Sequence, residues 1–327
     1  MATVTSLQSD LPSVCERSDG FFELQFQAMG THCSLLYDSE NHVSAKEIGS
    51  QVLKWVRYFE LRYSRFIKDS FVSKVNSLAG LEPVPLEDED RRLFGLCQSL
   101  NFITKGLFDP TTLPISLLWD FKKKSPEIPS DDKIKRAIEL VGWKKVVLNQ
   151  DEVFLPLPGM GLDFGGFGKE YAVDRVIEIL KSCGVENAMV NFGGDIHALG
   201  CPKEALNWII GIENPKEPGR PAFALELKGM AVATSGTYAR FFAKDGKRFS
   251  HLIDHRTGYP VSSNVFSASV LASTCLEAGA LATCSLLCDS KEGLGVIENY
   301  FGAEGCLRTD RALYWSKGFE KYLCQNQ

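Results

Sequence analysis

Short strand-like segments alternate with helical segments along nearly the whole chain, and no linker is long enough to divide it cleanly. Residues 22–27 alternate apolar and polar side chains, and the strand-like residues 31–37 follow after a short break. The later predicted strands span residues 146–148, 153–155, 188–191, 208–212, 223–227, 230–233 and 267–271, and the later predicted helices span residues 87–104, 131–140, 168–181 and 276–287. This interleaving predicts one compact α/β or α+β unit.

The N-terminal part of the chain gives two further predictions. Residues 1–20 are polar and irregular, which is typical of a flexible tail. The first helix is predicted to start at Ser44, because Glu47 three residues later completes a capping-box pattern. Ile48 and Val52 then lie on one helical face, as expected for a helix that packs on a core.

The composition excludes several classes of protein. The 327 residues are 44% hydrophobic and 24% charged, which is ordinary for a globular protein. The formal charge of −5 and the pI of about 5.7 argue against a nucleic-acid partner. No run of 18 apolar residues is present, so we expect no membrane span. The start does not have the pattern of a secretory signal, and ten cysteines lack C-x-x-C pairs, so we expect reduced thiols and a cytoplasmic location.

The densest group of reactive side chains lies in residues 250–260. This segment combines two histidines, an aspartate and an arginine with a glycine and a proline that force the chain to turn. A core strand would need a partner for each of these polar groups once they were buried. Taken alone, the segment favours a reactive or phosphate-binding site only slightly over an ordinary surface loop.

A second segment, residues 163–169, contains three glycines just before a predicted helix. Glycines allow a backbone to approach a ligand closely, and the start of a helix offers free N–H groups to an anion. The segment is not a Walker A loop, because Asp163 stands where that motif needs glycine and Glu170 where it needs Ser or Thr. A tight strand-to-helix turn without a ligand fits the pattern equally well.

Three shorter motifs are ambiguous by themselves. Residues 191–195 follow an apolar strand and favour a turn over a site. Residues 233–236 end another strand, and their hydroxyl and N–H groups suit either phosphate oxygens or a polar turn. Asp109 precedes Pro110, which disfavours helix there, so Asp109 is either a turn residue or part of a site.

Taken together and in this order, the blocks resemble the ApbE family of FAD:protein FMN transferases. The resemblance runs from about residue 22 to residue 322 and rests on residues 28–31, 64–66, 108–111, 162–166, 191–196, 233–236, 251–258 and 277–283. It implies an α+β fold with two α/β lobes and an FAD site in the cleft between them. It also implies a single domain over residues 21–322.

Members of this family transfer the FMN half of FAD to a Thr or Ser hydroxyl of a target protein, with release of AMP. The bond formed is a phosphodiester, and some members instead hydrolyse FAD to FMN and AMP. The resemblance therefore implies FAD as substrate, magnesium as cofactor and a target flavoprotein as partner. Since we expect the chain in the cytoplasm, we expect a cytoplasmic acceptor.

The resemblance also assigns roles to individual residues. His251 would accept the proton of the target hydroxyl, and Asp254 would orient it or help to bind the metal. The metal would lie between the carbonyl of Gly166 and the side chain of Thr283. Arg256 would neutralise phosphate charge or brace the loop. The residues expected to line the FAD are Met29, Phe66, Leu107, Phe108, Asp109, Asp163, Lys169 and Ile253.

One departure from the family pattern affects the metal. Members usually have Asp where this chain has Gly279, four residues before Thr283 and so on the same helical face. Without that carboxylate we expect a weakened magnesium site in which water fills the gap. Two alternatives to the transferase therefore stay open: an FAD pyrophosphatase and a flavin-binding protein without catalysis.

Other departures are smaller. Phe66 stands where Tyr is frequent, so a ring remains for stacking but its hydroxyl is lost. Thr237 stands where Asp is common, and His255 where Pro is common. His255 adds a titratable group to the loop, and the sequence assigns it no role.

Overall fold

A computed structural model describes residues 12–121, 123, 126–215, 217–238, 241–244 and 246–324. Its helices are α1 (His42–Tyr63), α2 (Phe71–Ser77), α3 (Asp88–Ile103), α4 (Leu113–Ser116), α5 (Asp131–Glu139), α6 (Gly168–Ser182), α7 (Cys275–Leu286) and α8 (Ser290–Glu298), with short 3-10 helices at Trp143–Lys145 and Phe319–Tyr322.

The strands are β1 (Cys15–Glu16), β2 (Phe22–Ala28), β3 (Thr31–Tyr37), β4 (Val84–Pro85), β5 (Val147–Leu148), β6 (Glu152–Phe154), β7 (Ala188–Phe192), β8 (Asp195–Leu199), β9 (Trp208–Asn214), β10 (Glu217–Leu227), β11 (Met230–Gly236), β12 (Phe241–Lys244), β13 (Lys247–Ser250), β14 (Ile253–Asp254), β15 (Tyr259–Pro260), β16 (Val265–Ala272), β17 (Glu304–Thr309) and β18 (Leu313–Trp315).

One large sheet organises the fold. Within the described residues it has nine strands in the order β1-β2-β3-β7-β8-β11-β16-β17-β18. Every neighbouring pair in it is antiparallel. An α/β protein would have parallel strands joined by crossover helices, so the α+β class is confirmed and the α/β alternative is wrong.

The two faces of the large sheet are covered differently. On β11, Ala231 and Ala233 point towards clusters that contain helices α1, α6, α7 and α8. Val232, between them, belongs to a cluster with Trp208 and Leu225 of the β9–β10 hairpin. This alternation along one strand places the helices on one face and the hairpin on the other.

The start of the folded unit differs from the sequence prediction. Residues 1–11 of the predicted tail lie outside the described residues, but Val14 is buried and β1 pairs with β2. The fold therefore includes residues 14–16. The prediction that α1 starts at Ser44 is also wrong, because the side chain of Asn41 accepts hydrogen bonds from the N–H groups of Val43 and Ser44. Asn41 thus satisfies the unpaired donors of the first turn before Ser44 is reached.

Two tight turns meet at one end of the large sheet. The β2–β3 turn has positive φ at Met29 (50°) and Gly30 (71°), and the β7–β8 turn at Gly193 (66°) and Gly194 (96°). The N–H of Gly193 donates to the carbonyl of His32 (3.0 Å), so the turns pack against each other.

This contact gives a prediction for Gly193. A Cβ at Gly193 would lie 2.3 Å from Oγ1 of Thr31, whereas a Cβ at Gly194 would meet nothing within 4 Å. Both positions have positive φ, so each alanine adds about 1 kcal/mol of backbone strain. Thr31 is stiff at χ1 and cannot easily move away. Gly193→Ala should therefore destabilise the protein by about 2–3 kcal/mol, clearly more than Gly194→Ala, in urea unfolding. Equal losses would show that the contact is not tight.

Candidate active site

The segment that precedes α6 lies at the centre of the candidate site. Residues 161–164 are not part of a strand, so the segment is not the strand-to-helix turn that its pattern also suited. The N–H of Asp163 instead donates to the carbonyl of Pro110 (2.9 Å). The N–H of Gly168 donates to the carbonyl of Phe164 (2.7 Å) and closes the turn into α6. The predicted helix start at Gly168 is confirmed.

Asp163 is held by an arginine from the end of α1. Nε of Arg65 lies 2.9 Å from Oδ2 of Asp163, and the N–H of Gly165 donates to Oδ1 (2.9 Å). The guanidinium of Arg65 also lies 4.3 Å from the centre of the Phe66 ring. Phe66 is 67% exposed, so its ring lies at the surface next to the arginine that contacts Asp163. This geometry suits a ring that stacks on an aromatic ligand.

Asp109 is bound on both carboxylate oxygens by protein donors. Oδ1 accepts from the N–H (2.8 Å) and the hydroxyl (2.5 Å) of Thr111, and Oδ2 accepts from the N–H of Trp143 (2.8 Å). The side chain therefore fixes its own turn and joins it to the 3-10 helix at Trp143. A ligand at Asp109 would share oxygens that are already engaged.

Leu107 and Phe108 connect this turn to the core. The Phe108 ring is buried and meets the Phe167 ring edge to face at 4.9 Å. Nδ2 of Asn101 donates to the carbonyl of Phe108 (2.7 Å). Leu107 is partly buried against the same cluster. Leu107 thus keeps some exposed apolar surface, whereas Phe108 acts mainly by packing.

Met29 has a constrained backbone. Its φ of 50° lies in the left-handed region, which a residue with a side chain rarely adopts. The N–H of Met29 donates to Oε1 of Glu60 on α1 (3.0 Å). This bond holds the turn so that the Met29 side chain lies partly exposed at the rim of the core.

Lys169 forms an ion pair at the start of α6. Its Nζ contacts Oδ2 of Asp195, the first residue of β8, and Asp195 is buried. Burial disfavours the charge on Lys169, but Glu170 and Asp195 outweigh it and raise the pKa of Lys169. The ammonium group therefore stays charged. Burial also raises the pKa of the neighbouring Glu170 carboxyl to about 8, with a further increase from Asp195 and opposition from Lys169.

Helix α7 carries the residues expected near the metal. Oγ1 of Thr283 lies 2.8 Å from Oγ of Ser235 at the end of β11. Gly279, one turn earlier, is buried, and a Cβ there would lie 2.6 Å from Cγ of Glu170. Gly166 is exposed. The hydroxyls of Thr283 and Ser235 are oxygen donors of the kind that magnesium accepts.

The orientation of α7 is fixed by Asp174 on α6. Its carboxylate accepts from the N–H groups of Cys275 (2.7 Å) and Leu276 (2.9 Å), the first residues of α7. Nδ1 of the buried His197 lies 3.1 Å from the same carboxylate. An aspartate at a helix N-terminus accepts hydrogen bonds from the unpaired N–H groups, and its negative charge interacts favourably with the helix dipole. The structure thus places His197 in the cap of α7.

The polar loop at residues 251–260 is fastened to the other end of α7. Arg256 donates from its Nε (2.9 Å) and Nη2 (2.8 Å) to the two oxygens of Asp254. Nη2 also donates to the carbonyl of Leu287, just after α7 (2.6 Å). Burial opposes the charge of Asp254, but Arg256 holds the pKa of that carboxyl below its usual range. The bracing role for Arg256 is thus present in the structure.

The remainder of the loop packs against Trp119 and its neighbours, away from α7. Nε1 of Trp119 donates to the carbonyl of Gly258 (2.9 Å). Ile253 pairs with Pro260 and packs against the cluster that contains Trp119. His251 is half-buried directly after β13. The backbone that carries His251 and Asp254 is therefore anchored at two points.

A surface hollow of about 530 Å³ adjoins this loop. Asp254, Tyr259, Asn264, Cys288 and Asp289 are among the residues that line it. Of the residues predicted for catalysis, flavin or metal, it contains Asp254 alone. The hollow therefore does not coincide with the predicted flavin site.

Comparison with known proteins decides the family. The profile of the ApbE family matches residues 29–307, which is most of the chain. This chain belongs to the ApbE family. The resemblance inferred from the sequence blocks is confirmed.

Members of the ApbE family with known names and structures are similar over nearly the whole chain. The FAD:protein FMN transferase of Vibrio cholerae is 28% identical over 94% of this chain and 95% of its own length. That of Haemophilus influenzae is 29% identical over 91% of this chain and 90% of its own. The ApbE protein of Thermotoga maritima has a TM-score of 0.85 at 29% identity and covers 93% of this chain and 100% of its own.

In this ApbE protein, the residues predicted for flavin binding, metal binding and catalysis are connected by direct contacts. Asp163 and Lys169 flank the start of α6, Glu170 on that helix contacts Gly279, and α7 carries Thr283 and ends at the Arg256–Asp254 pair. The turn that contains Asp109 contacts the segment before α6 at two points. The carbonyl of Pro110 accepts from Asp163, and the Phe108 ring packs on Phe167. The segment before α6 therefore links the residues predicted for the flavin to those predicted for the metal, and α7 links these to the loop predicted to be catalytic.

Sequence reasoning missed Glu170 as part of the site. A usable signal was present, because Glu170, Val173 and Ile177 repeat at helical spacing and the other two are apolar core residues. A carboxylate on the buried face of a helix needs a partner or a function.

Proposed function

We propose that this chain is an FAD:protein FMN transferase, which moves the FMN half of FAD to a Thr or Ser hydroxyl of a target flavoprotein and releases AMP. The observation that carries the proposal is the similarity to the Vibrio cholerae transferase of this name over 94% of the chain. The connected arrangement of the predicted site residues supports it.

The reaction exchanges one phosphorus–oxygen bond for another. The acceptor oxygen bonds to the phosphorus that carries riboflavin, while the bond from this phosphorus to the bridging oxygen breaks and AMP leaves with that oxygen. The acceptor hydroxyl also loses a proton. His251 accepts this proton at a ring nitrogen and then passes it to water. General-base catalysis of this kind accelerates a reaction by about 10²–10⁴-fold.

Asp254 acts in this proposal as a positioning residue. Both of its oxygens are engaged with Arg256, and Arg256 is tied to the end of α7. This brace holds the loop that carries His251 in one place. Proximity and orientation supply a large share of the catalysis of phosphoryl transfer.

The flavin and its phosphates would contact two kinds of side chain. Phe66 would stack on the ring system, and Met29, Leu107, Phe108 and Ile253 would provide apolar surface around it. The polar contacts would come from Lys169, Asp163 and Asp109. Lys169 is 31% exposed, so its charged group can reach a phosphate while it stays near Asp195.

The oxygen ligands near α7 fit magnesium, the metal that the family resemblance implies. The hydroxyl of Thr283 and the carbonyl of Gly166 would hold the ion, which would neutralise charge on the pyrophosphate. Gly279 supplies no ligand. Within the part of the chain that the structure describes, no group of three or more His, Cys, Asp or Glu side chains could hold a metal.

The protein's location is proposed as cytoplasmic. All ten cysteines are free, as expected in a reducing compartment. No helix among the described residues is both long and apolar enough to cross a bilayer.

The test of the proposed function is AMP release from FAD with magnesium. It is measured with a flavoprotein fragment that has an acceptor Thr, with the same fragment carrying Val there, and without fragment. Release that depends on the acceptor Thr supports the transferase. Release independent of it would show the pyrophosphatase, and bound FAD without AMP would show the non-catalytic flavin binder.

A further inference from the structure

The missing side chain at position 279 leaves space that Glu170 fills. A Cβ at Gly279 would lie 2.6 Å from Cγ and 2.7 Å from Oε1 of Glu170. Real Cβ atoms do not approach other atoms so closely, so a side chain at position 279 and the present position of Glu170 exclude each other. The carboxylate of Glu170 on α6 thus occupies the space in which the side chain of an Asp at position 279 on α7 would start.

The Glu170 carboxylate is buried and incompletely bonded. Glu170 is 5% exposed, and its Oε2 has no hydrogen-bonding partner among the described residues. An unpartnered buried carboxylate costs several kcal/mol unless something else compensates its charge. The oxygen is therefore available to a ligand that carries positive charge.

The other charged side chains around Glu170 already have partners. Asp195 pairs with Lys169, and Asp174 caps α7. Glu277, two residues from Gly279, accepts from the hydroxyl of Tyr300 (2.6 Å) and belongs to the capping box of α7. Lys169 lies next to Glu170, but its Nζ contacts Asp195. Of the acidic residues Glu170, Asp174, Asp195 and Glu277, Glu170 is thus the one with a buried oxygen that lacks a hydrogen-bonding partner.

The helix packing places the Glu170 carboxylate against the face of α7 that carries Thr283. Glu170 and Asp174 are four residues apart on α6, as are Gly279 and Cys275 on α7, and the two pairs meet in antiparallel order. Thr283 follows Gly279 after a further turn, so both lie on one face of α7. Magnesium binds through one or two carboxylates and keeps several waters, so one carboxylate with neutral oxygens suffices.

We propose that Glu170 replaces the missing α7 carboxylate as the acidic magnesium ligand of this protein, together with Thr283. The carboxylate has moved from α7 to α6, and Gly279 is the residue that makes room for it. This inference rests on the proposed function for the presence of the metal, but it concerns this chain's own residues.

The test is direct binding of Mn²⁺, a paramagnetic substitute for Mg²⁺, to the full chain by electron paramagnetic resonance, with and without saturating FAD. Glu170→Gln keeps the shape of the side chain and removes its charge. We expect one Mn²⁺ in the wild type and affinity weaker by about tenfold or more in Glu170→Gln. Equal affinity in both proteins, or no binding by the wild type in either condition, would overturn the proposal.

Two further variants complete the test. Glu178→Gln is the matched control, because it makes the same change on α6 in a carboxylate that pairs with Arg92 and Arg175. We expect it to bind Mn²⁺ like the wild type. Glu170→Ala combined with Gly279→Asp returns the carboxylate to α7 and should restore affinity to within a few-fold. A folded exchange variant that stays as weak as Glu170→Gln would refute the proposal.

Metal binding is measured independently of the transfer reaction. The ligand assignment for Glu170 and the proposed transferase function can therefore fail separately. Mn²⁺ binding that depends on Glu170 in a protein that transfers no FMN would leave the ligand assignment intact and reject the proposed function. FMN transfer with Mn²⁺ binding independent of Glu170 would do the reverse.

Discussion

Replacement of His251 by alanine is expected to lower the rate of FMN transfer by about 10²–10⁴-fold, because the acceptor hydroxyl loses the group that takes its proton. The affinity for FAD should stay within a few-fold, since the residues proposed to hold the flavin, apart from Ile253, lie on other elements. Single-turnover transfer rates and FAD binding by flavin fluorescence measure the two quantities separately.

The matched control for this prediction is His255→Ala. It removes an imidazole from the same loop, four residues further along, at a position without an assigned role. We expect its transfer rate to stay within a few-fold of the wild type. An unchanged rate in His251→Ala would remove His251 from the mechanism, and equal losses in both variants would point to a general effect on the loop.

Replacement of Lys169 by methionine is expected to lower the free energy of unfolding by about 2–3 kcal/mol. The change leaves Asp195, whose side chain is 6% exposed, without its cationic partner. Loss of one partner of a buried ion pair typically costs 3–5 kcal/mol, and the partial exposure of Lys169 reduces this figure. Urea unfolding of the full chain measures the difference.

A second substitution distinguishes a lost ion pair from lost packing. Asp195→Asn added to Lys169→Met removes the stranded charge and should recover part of the stability. Lys181→Met is the matched control, because it removes an exposed lysine from the same helix and should change the free energy of unfolding by less than about 0.5 kcal/mol. A double variant that is less stable than Lys169→Met would contradict the ion-pair explanation.

The sequence pattern predicted the strands and helices with a clear period. The alternation over residues 22–27 corresponds to β2 (Phe22–Ala28), and the predicted helix over residues 168–181 corresponds to α6. Strand β8 was missed because it begins with Asp195 and contains His197, which are unusual in a buried strand. They are tolerated there because Lys169 and Asp174 on α6 provide their partners.

The site was predictable as a set of residues but not as a geometry. Family resemblance named Thr283 and the loss of a carboxylate at Gly279, but the contact between Gly279 and Glu170 depends on how α6 packs against α7. Asp174 fixes that packing through a cap between residues distant in sequence, and no local pattern reveals it. The engagement of both Asp254 oxygens by Arg256 is likewise a result of the folded loop.

The most direct measurement is the intact mass of a flavoprotein fragment with an acceptor Thr after incubation with this protein, FAD and magnesium. We predict a fragment that carries one FMN, with one AMP released for each fragment modified and no modification when the acceptor is Val. An unmodified fragment with intact FAD, from a protein that binds FAD, would contradict the account of this chain as an FMN transferase.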